Sequence, residues 1–216
     1  MLLATPDSSW ERRFGYPGLP VAGVDEVGRG CLAGPVVAGA VVLGSLDPIP
    51  EWIHEVNDSK LLKPEVRARL SPLIQGWVRS FAIGLASVEE IDRINIHHAS
   101  HLAMQRALDG LSVFPAHVLV DGKFVPKSFK VPATALVKGD SKSLAIACAA
   151  ILAKVWRDSL MAELDGEYPG YGFGVHKGYF TPAHRRALTT LGACGIHRRT
   201  FAPVAQLLSS GPHFPS

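Results

Sequence analysis

The chain predicts an α/β protein: a mixed five-stranded sheet flanked by helices, with a small helical extension at the C-terminal end. Segments rich in β-branched residues and punctuated by glycine occur at Val21–Val27, Val36–Leu43 and Ser80–Val88. Two further apolar runs, Val118–Val120 and Val131–Val137, each have an acid shortly beyond their end. Longer stretches carry apolar residues at helical spacing. Strands followed by helices in this pattern make a sheet with helical cover.

Residues 1–19, with Pro6 and Pro17, read as a loose leader, followed by one domain over 20–208 and a tail at 209–216. Within that domain the sheet-bearing core covers about 20–165 and a helical part about 166–208. Val21–Val27, Val36–Leu43 and Ser80–Val88 precede any long helix, which favours an antiparallel meander. Asp58 or Ser59 is placed to cap a helix through Val66, Leu70 and Leu73, with Pro72 as a complication in its middle. From Glu89 to Leu111 the residues Ile91, Ile94, Leu102, Met104 and Leu108 recur near helical spacing. Val118–Val120 then ends in Asp121-Gly122, delivering an acid where α/β folds commonly place ligands. Val131–Val137 ends in Lys138-Gly139-Asp140. Ser141 and Ser143 open a long helix with Leu144, Cys148, Ile151, Leu152 and Val155 on its apolar side. Beyond Tyr168 the chain is glycine-rich and then helical from Thr181 to Leu191.

Hydrophobic residues make up 47% of the 216 and charged ones 19%, a balance that excludes a disordered chain. Three cysteines, Cys31, Cys148 and Cys194, without Cys-x-x-Cys spacing, argue against a disulfide framework or zinc ribbon and for a reducing compartment. Met1 to Phe14 lacks the pattern of a signal peptide. The uncharged run Cys31–Leu46 is interrupted by Pro35 and glycines, as two strands and a turn would be. A soluble cytoplasmic protein, monomeric by default, is expected. Net charge is only +3, but no acid follows Glu167, while Lys177, Arg185, Arg186, Arg198 and Arg199 do. That asymmetry fits a polyanion across an acidic centre, or an ordinary solvated basic face.

The chemistry concentrates in Asp25-Glu26, two adjacent acids inside an apolar, glycine-rich strand. Unpaired carboxylates in such surroundings are costly, so they call for a cation. With Asp121 and Asp140, four acids stand at or near strand ends, a set suited to hard cations held by oxygen. Two such ions can serve phosphodiester hydrolysis. Taken singly, Asp121-Gly122 also fits a plain turn and Asp140-Ser141 a helix cap. Neighbours in a regular strand face opposite ways, so Asp25 and Glu26 cannot both point to one site unless a bulge turns one. Otherwise one acts through its backbone carbonyl or a metal-bound water. Gly28-Arg29-Gly30 offers bare amides and a guanidinium suited to a phosphate. Lys60, Lys154 and Lys177 are candidates for phosphate contacts, with Arg198 and Arg199 behind them; each also fits a solvated surface cation. His176 and His184 fit hydrogen-bonding roles better than proton transfer. Asp92 and Asp158 fit structural pairs.

These segments, in this order, resemble ribonuclease HII. The resemblance rests on Gly23-Val24-Asp25-Glu26-Val27-Gly28-Arg29-Gly30, Asp58-Ser59-Lys60-Leu61, Ile94-Asn95-Ile96, Asp121-Gly122, Val137-Lys138-Gly139-Asp140 and Ile151-Leu152-Ala153-Lys154-Val155. Tyr171-Gly172-Phe173, His176-Lys177-Gly178-Tyr179 and His197-Arg198 complete it. It implies an RNase H-like catalytic domain and an endonuclease that cuts RNA in RNA–DNA hybrids and at single ribonucleotides in duplex DNA, leaving 3′-hydroxyl and 5′-phosphate. It implies Asp25, Glu26, Asp121 and Asp140 as carboxylates for two Mg2+ or Mn2+ ions. Gly28-Arg29-Gly30 is implied to sense the 2′-hydroxyl and adjoining phosphate, and Tyr179 to pack on the sugar at the RNA–DNA junction. From the residues alone, Tyr179 reads as a core tyrosine. A silent nucleic-acid-binding module of the same fold is the rival reading. A weak pattern from Ala205 to Pro215 suggests a sliding-clamp contact.

Overall fold

In a computed structural model, residues 5–209 are described. Five strands, β1 (Val21–Val27), β2 (Val36–Val42), β3 (Ser80–Ala86), β4 (His117–Asp121) and β5 (Ala133–Leu136), form one sheet in the order β3-β2-β1-β4-β5. The expected meander is present: β1 pairs antiparallel with β2, and β2 with β3. β4 lies parallel to β1 and β5 parallel to β4. Seven helices accompany the sheet among the described residues: α1 (Ser9–Arg13), α2 (Pro64–Trp77), α3 (Val88–Asp109), α4 (Leu144–Glu167), α5 (Phe173–His176), α6 (Pro182–Leu191) and α7 (Ala202–Ser209).

Side chains alternate across a strand, and the two cores follow that alternation. Ala22, Val24, Val118 and Val120 pack toward α3 with Ile91, Ala103 and Met104. Val21 and Leu119 pack on the opposite face with Ile146, Ala149 and Ile151 of α4. Helix α4 sits so close to β1 that a Cβ on Gly23 would fall 2.3 Å from the Ala145 carbonyl carbon. Only glycine fits there, and the closeness fixes the distance between α4 and the strand carrying Asp25.

Several elements differ from expectation. Helix α2 starts at Pro64, not at an Asp58 or Ser59 cap, because proline at the first helical position has no N–H to leave unpaired. Pro72 does not break it; Pro72 and Ala68, four residues earlier, are both exposed, so water can serve the released carbonyl. Helix α3 begins with a Ser87–Glu90 capping box and is kinked at Asn95 (φ 65°). The Asn95 Oδ1 there accepts the N–H groups of His97 and His98, capping the second segment.

The leader is not loose over its described part. Glu11 on α1 is fully buried, and its Oε1 accepts from Ser143 Oγ (2.6 Å) and from the Ala145 N–H (2.8 Å). The carboxylate serves the otherwise unpaired donors at the start of α4, while the Leu144 N–H donates to the Asp7 carbonyl. Burial raises the Glu11 pKa, partly opposed by these bonds. Glu11→Ala is expected to destabilise the fold by about 2 kcal/mol, seen as a lower urea midpoint at unchanged slope.

Candidate active site

Three acids arrive from three segments. Asp25 lies on β1 with its face toward α4, by the same alternation that sends Val21 and Gly23 there. The parallel register pairs Val24 with Val120, which sets Asp121, at the end of β4, beside Asp25. The chain leaves β5, passes Lys138 in the left-handed region (φ 57°) and enters a 3-10 turn, Gly139–Ser141, that carries Asp140. Carboxylate oxygens of Asp25, Asp121 and Asp140 lie within 4.8 Å of one another. The Gly139 N–H donates to Asp121 Oδ1 (2.6 Å), and the Glu26 N–H to Asp25 Oδ1 (2.8 Å).

The electrostatics of this cluster ask for a cation. Burial pushes the Asp25 pKa well up, and the charges of Glu26 and Asp121 push it further. Asp140 is raised by burial, then by Asp121 and Asp58. Lys60 supplies partial relief, its Nζ 3.5 Å from Asp140 Oδ2. Burial disfavours that ammonium, but Asp25, Asp140 and Asp58 outweigh burial and raise its pKa. Asp58 also shapes this loop, its Oδ1 accepting the Lys60 N–H (2.9 Å). A donor set of carboxylate oxygens without histidine or thiolate fits a hard divalent cation.

Glu26 is not part of the three-acid convergence. The β1–β2 register is regular from Ala22 to Val27, so no bulge turns either side chain. Glu26 shares the α3-facing parity of Ala22 and Val24, and its Oε1 accepts from Arg29 Nη1 (3.0 Å). Its pKa is raised by burial, against the lowering by Arg29, with Asp121 adding to the rise. It thus stays within electrostatic reach of the cluster from the other side of the strand.

Gly28-Arg29-Gly30 is held from below by two fully buried arginines. Arg198 donates from Nη2 to Gly28 O (2.7 Å), from Nη1 to Arg29 O (2.9 Å) and from Nε to Gly34 O (2.9 Å). Arg157 serves Pro35 O, Ala33 O and Lys177 O, each at 2.9–3.0 Å. Gly28 is at φ 89°, and a Cβ there would lie 2.3 Å from Arg157 Nε. Arg198 is therefore not a phosphate contact: it is fully buried and its donors are spent on carbonyls. Arg199 and Thr200 donate their N–H groups to Asp92, the structural pairing expected of that acid.

The same framework carries Tyr179. The Leu32 N–H donates to Gly178 O (2.8 Å), joining the glycine loop to the Tyr179 turn. His184 Nδ1 pairs with Tyr179 O and its Nε2 with His197 Nε2 (3.0 Å), and His176 stacks on His184. Burial and neighbouring imidazoles push His197 down to about 4, and burial also lowers the His184 pKa, so His197 is a neutral hydrogen-bonding group at pH 7. Tyr179 itself is 41% exposed rather than a core tyrosine. Lys154 Nζ lies 5.8 Å from its ring centroid and donates to Asp158 Oδ1, while Lys177 Nζ donates to Asp158 O. Asp158 also pairs with Arg67. Of the tail pattern, Ala205–Ser209 falls on α7 and the remainder lies outside the described residues.

A mixed sheet whose adjacent parallel strands bring buried acids to one edge, with helices on both faces, defines an RNase H-like, metal-dependent nuclease. The model of the Ribonuclease HII family matches residues 22–204. The chain belongs to that family and is thus a ribonuclease H, a metal-dependent endonuclease whose family acts on RNA–DNA substrates. It is 53% identical over 193 residues to ribonuclease HII of Nitrosococcus oceani, covering 89% of this chain and 94% of the relative. With ribonuclease HII of Paracoccus denitrificans it is 53% identical, over 87% of each. Among solved structures, ribonuclease H2 from Pyrococcus horikoshii superposes with TM-score 0.74 at 26% identity, over 89% of this chain and 98% of that one. The fold is shared more distantly with Bst-RNase HIII in complex with Mn2+ (TM-score 0.65, 20% identity, 89% and 70% covered). No helix among the described residues is long and apolar enough to cross a membrane.

Proposed function

We propose that this chain nicks duplex DNA at single embedded ribonucleotides and cuts the RNA strand of hybrids, leaving 3′-hydroxyl and 5′-phosphate, with two divalent ions, Mg2+ or Mn2+. The meeting of Asp25, Asp121 and Asp140 within 4.8 Å carries this reading. Those three carboxylates would hold the ions, with Glu26 acting from the α3 side of β1. Bound there, such ions supply Lewis acidity and lower the pKa of a coordinated water.

The remaining work falls to the chain. Lys60 offsets part of the cluster's negative charge, easing the approach of a phosphodiester. Gly30 leaves room for a sugar 2′-hydroxyl, the group that separates RNA from DNA, while bare Gly28 lets Arg157 close under the loop. No atom outside the immediate chain lies within 4 Å of where a Gly30 Cβ would stand. Arg29 can fork onto the adjoining phosphate while keeping Glu26 as partner. Tyr179 would pack against the next sugar, where an extra hydroxyl crowds the ring. Lys154, beside that ring, and Lys177, both anchored on Asp158, would serve as phosphate contacts.

Cleavage mapping on a labelled duplex with one ribonucleotide tests the proposal. One nick at the ribonucleotide with those termini is expected; retention of the duplex without nicking would instead support a silent binding module. Tyr179→Ala is expected to slow nicking at a single ribonucleotide about tenfold, through lost positioning. Cleavage inside a long hybrid, timed in the same assay, should slow less.

A further inference from the structure

The face of the sheet edge opposite the three acids carries a second feature. A cleft of about 460 Å³ opens between α3 and the loop following β4. His97, His98 and His101 line it from α3, and Phe124, Lys127 and Ser128 from the loop. The rings of His97 and His101 are 4.3 Å apart, those of His97 and His98 5.3 Å, and Phe124 stands edge-on to His97 at 6.3 Å. Phe124 is 66% exposed, a large apolar surface that the fold leaves uncovered. No carboxylate lines the cleft.

Two observations say what it takes. Besides apolar Leu102, Val125 and Phe124, its lining offers the Lys127 ammonium with imidazole, amide and hydroxyl donors and no carboxylate, a set complementary to an anion beside an apolar group. Arg29 stands close enough to act on His101: after burial, the charges of His97, His98 and Arg29 disfavour its charged form. An anion between Lys127 and the imidazoles would offset that repulsion. Exposed Phe124 among these donors fits a sugar ring beside a phosphate.

We propose that this cleft is an accessory nucleic-acid subsite that grips the sugar–phosphate backbone of the duplex flanking the cleaved linkage. The assignment rests on the proposed nicking function and extends its footprint past Arg29 along α3. Lys127 and the three imidazoles take a phosphate, and Phe124 packs on the adjoining sugar.

The test uses the full chain carrying Asp140→Asn, so that substrate stays intact. Affinity is measured by anisotropy for ribonucleotide-containing duplexes that are short on both sides, long on one side, or long on the other. One long flank should tighten binding about tenfold. Phe124→Ala, and separately His97→Ala with His101→Ala, should erase that gain without weakening the short duplex. These positions are at the surface, and circular dichroism verifies their fold. A flank gain undiminished in both variants, or a loss equal for short and long duplexes, overturns the subsite. Failure of the otherwise unaltered chain to nick would instead overturn the underlying function, so the two failures are distinct.

Discussion

Asp25→Asn is expected to reduce cleavage about a thousandfold or more and, without divalent ions, to make the fold more stable. The two effects have one origin. Asp25 is 5% exposed and faces the charges of Glu26 and Asp121. Its ionised form is unfavourable in the metal-free fold, which is why its pKa is raised. Asparagine keeps an oxygen for the Glu26 N–H that Asp25 now accepts but removes the charge. At low pH the native carboxyl is protonated and the two proteins should be equally stable. As pH rises from the ordinary carboxylate range through the raised pKa of Asp25, the native chain loses stability that the variant keeps. Above that range the variant should unfold at a temperature higher by roughly 2–4 °C per kcal/mol gained. Adding Mg2+ or Mn2+ should reverse the order, because only the native set gains from binding. Thermal unfolding of both proteins across pH, with and without metal, reads all of this; an unchanged difference at every pH would remove Asp25 from the cluster.

Arg198→Ala should cost about 3–5 kcal/mol, the largest loss of stability expected from a single side chain here. The guanidinium is fully buried and serves three carbonyls of one loop. Burial lowers its pKa to about 10, which still leaves it charged at pH 7. Its removal takes the guanidinium donor from the carbonyls of Arg29 and Gly34, leaves Gly28 O with the Cys31 N–H at 3.4 Å, and leaves a void. Arg198→Lys should recover only part of the loss, because an ammonium cannot reproduce the planar fork. Urea unfolding measures the stability change, and the nicking assay the expected loss of ribonucleotide sensing. The three-acid cluster does not rest on Arg198, so metal binding should survive wherever the variant folds. An Arg198→Ala protein of native stability would show that the glycine loop is held by other means.

The sheet was legible in the sequence because its strands are short, apolar and closed by glycine or acid. So was the gathering of Asp25, Asp121 and Asp140, since each sits near a strand end and parallel strands end together. Strand periodicity also raised the conflict between Asp25 and Glu26; the register is regular there, and of the two only Asp25 joins the cluster with Asp121 and Asp140 among the described residues. What the sequence concealed depends on distant pairing. Arg198 reaches Gly28 across 170 positions, so a buried scaffold arginine looks like any other basic residue near a chain end. The one available signal was its setting between a histidine and an aromatic in a segment without acids. Glu11 was hidden likewise, since a lone acid among Arg12, Arg13 and prolines gives no hint that it caps a helix 134 positions away. The kink at Asn95 escaped because apolar spacing continues through it, although asparagine tolerates positive φ better than most residues.

The proposed divalent-metal site is the meeting of Asp25, Asp121 and Asp140 from three segments. Crystals of this chain grown with Mn2+ and measured for anomalous scattering test it directly. Manganese peaks among these three carboxylates, lost in Asp25→Asn, are expected. Manganese bound elsewhere, with the three acids unoccupied at a concentration that supports cleavage, would contradict it.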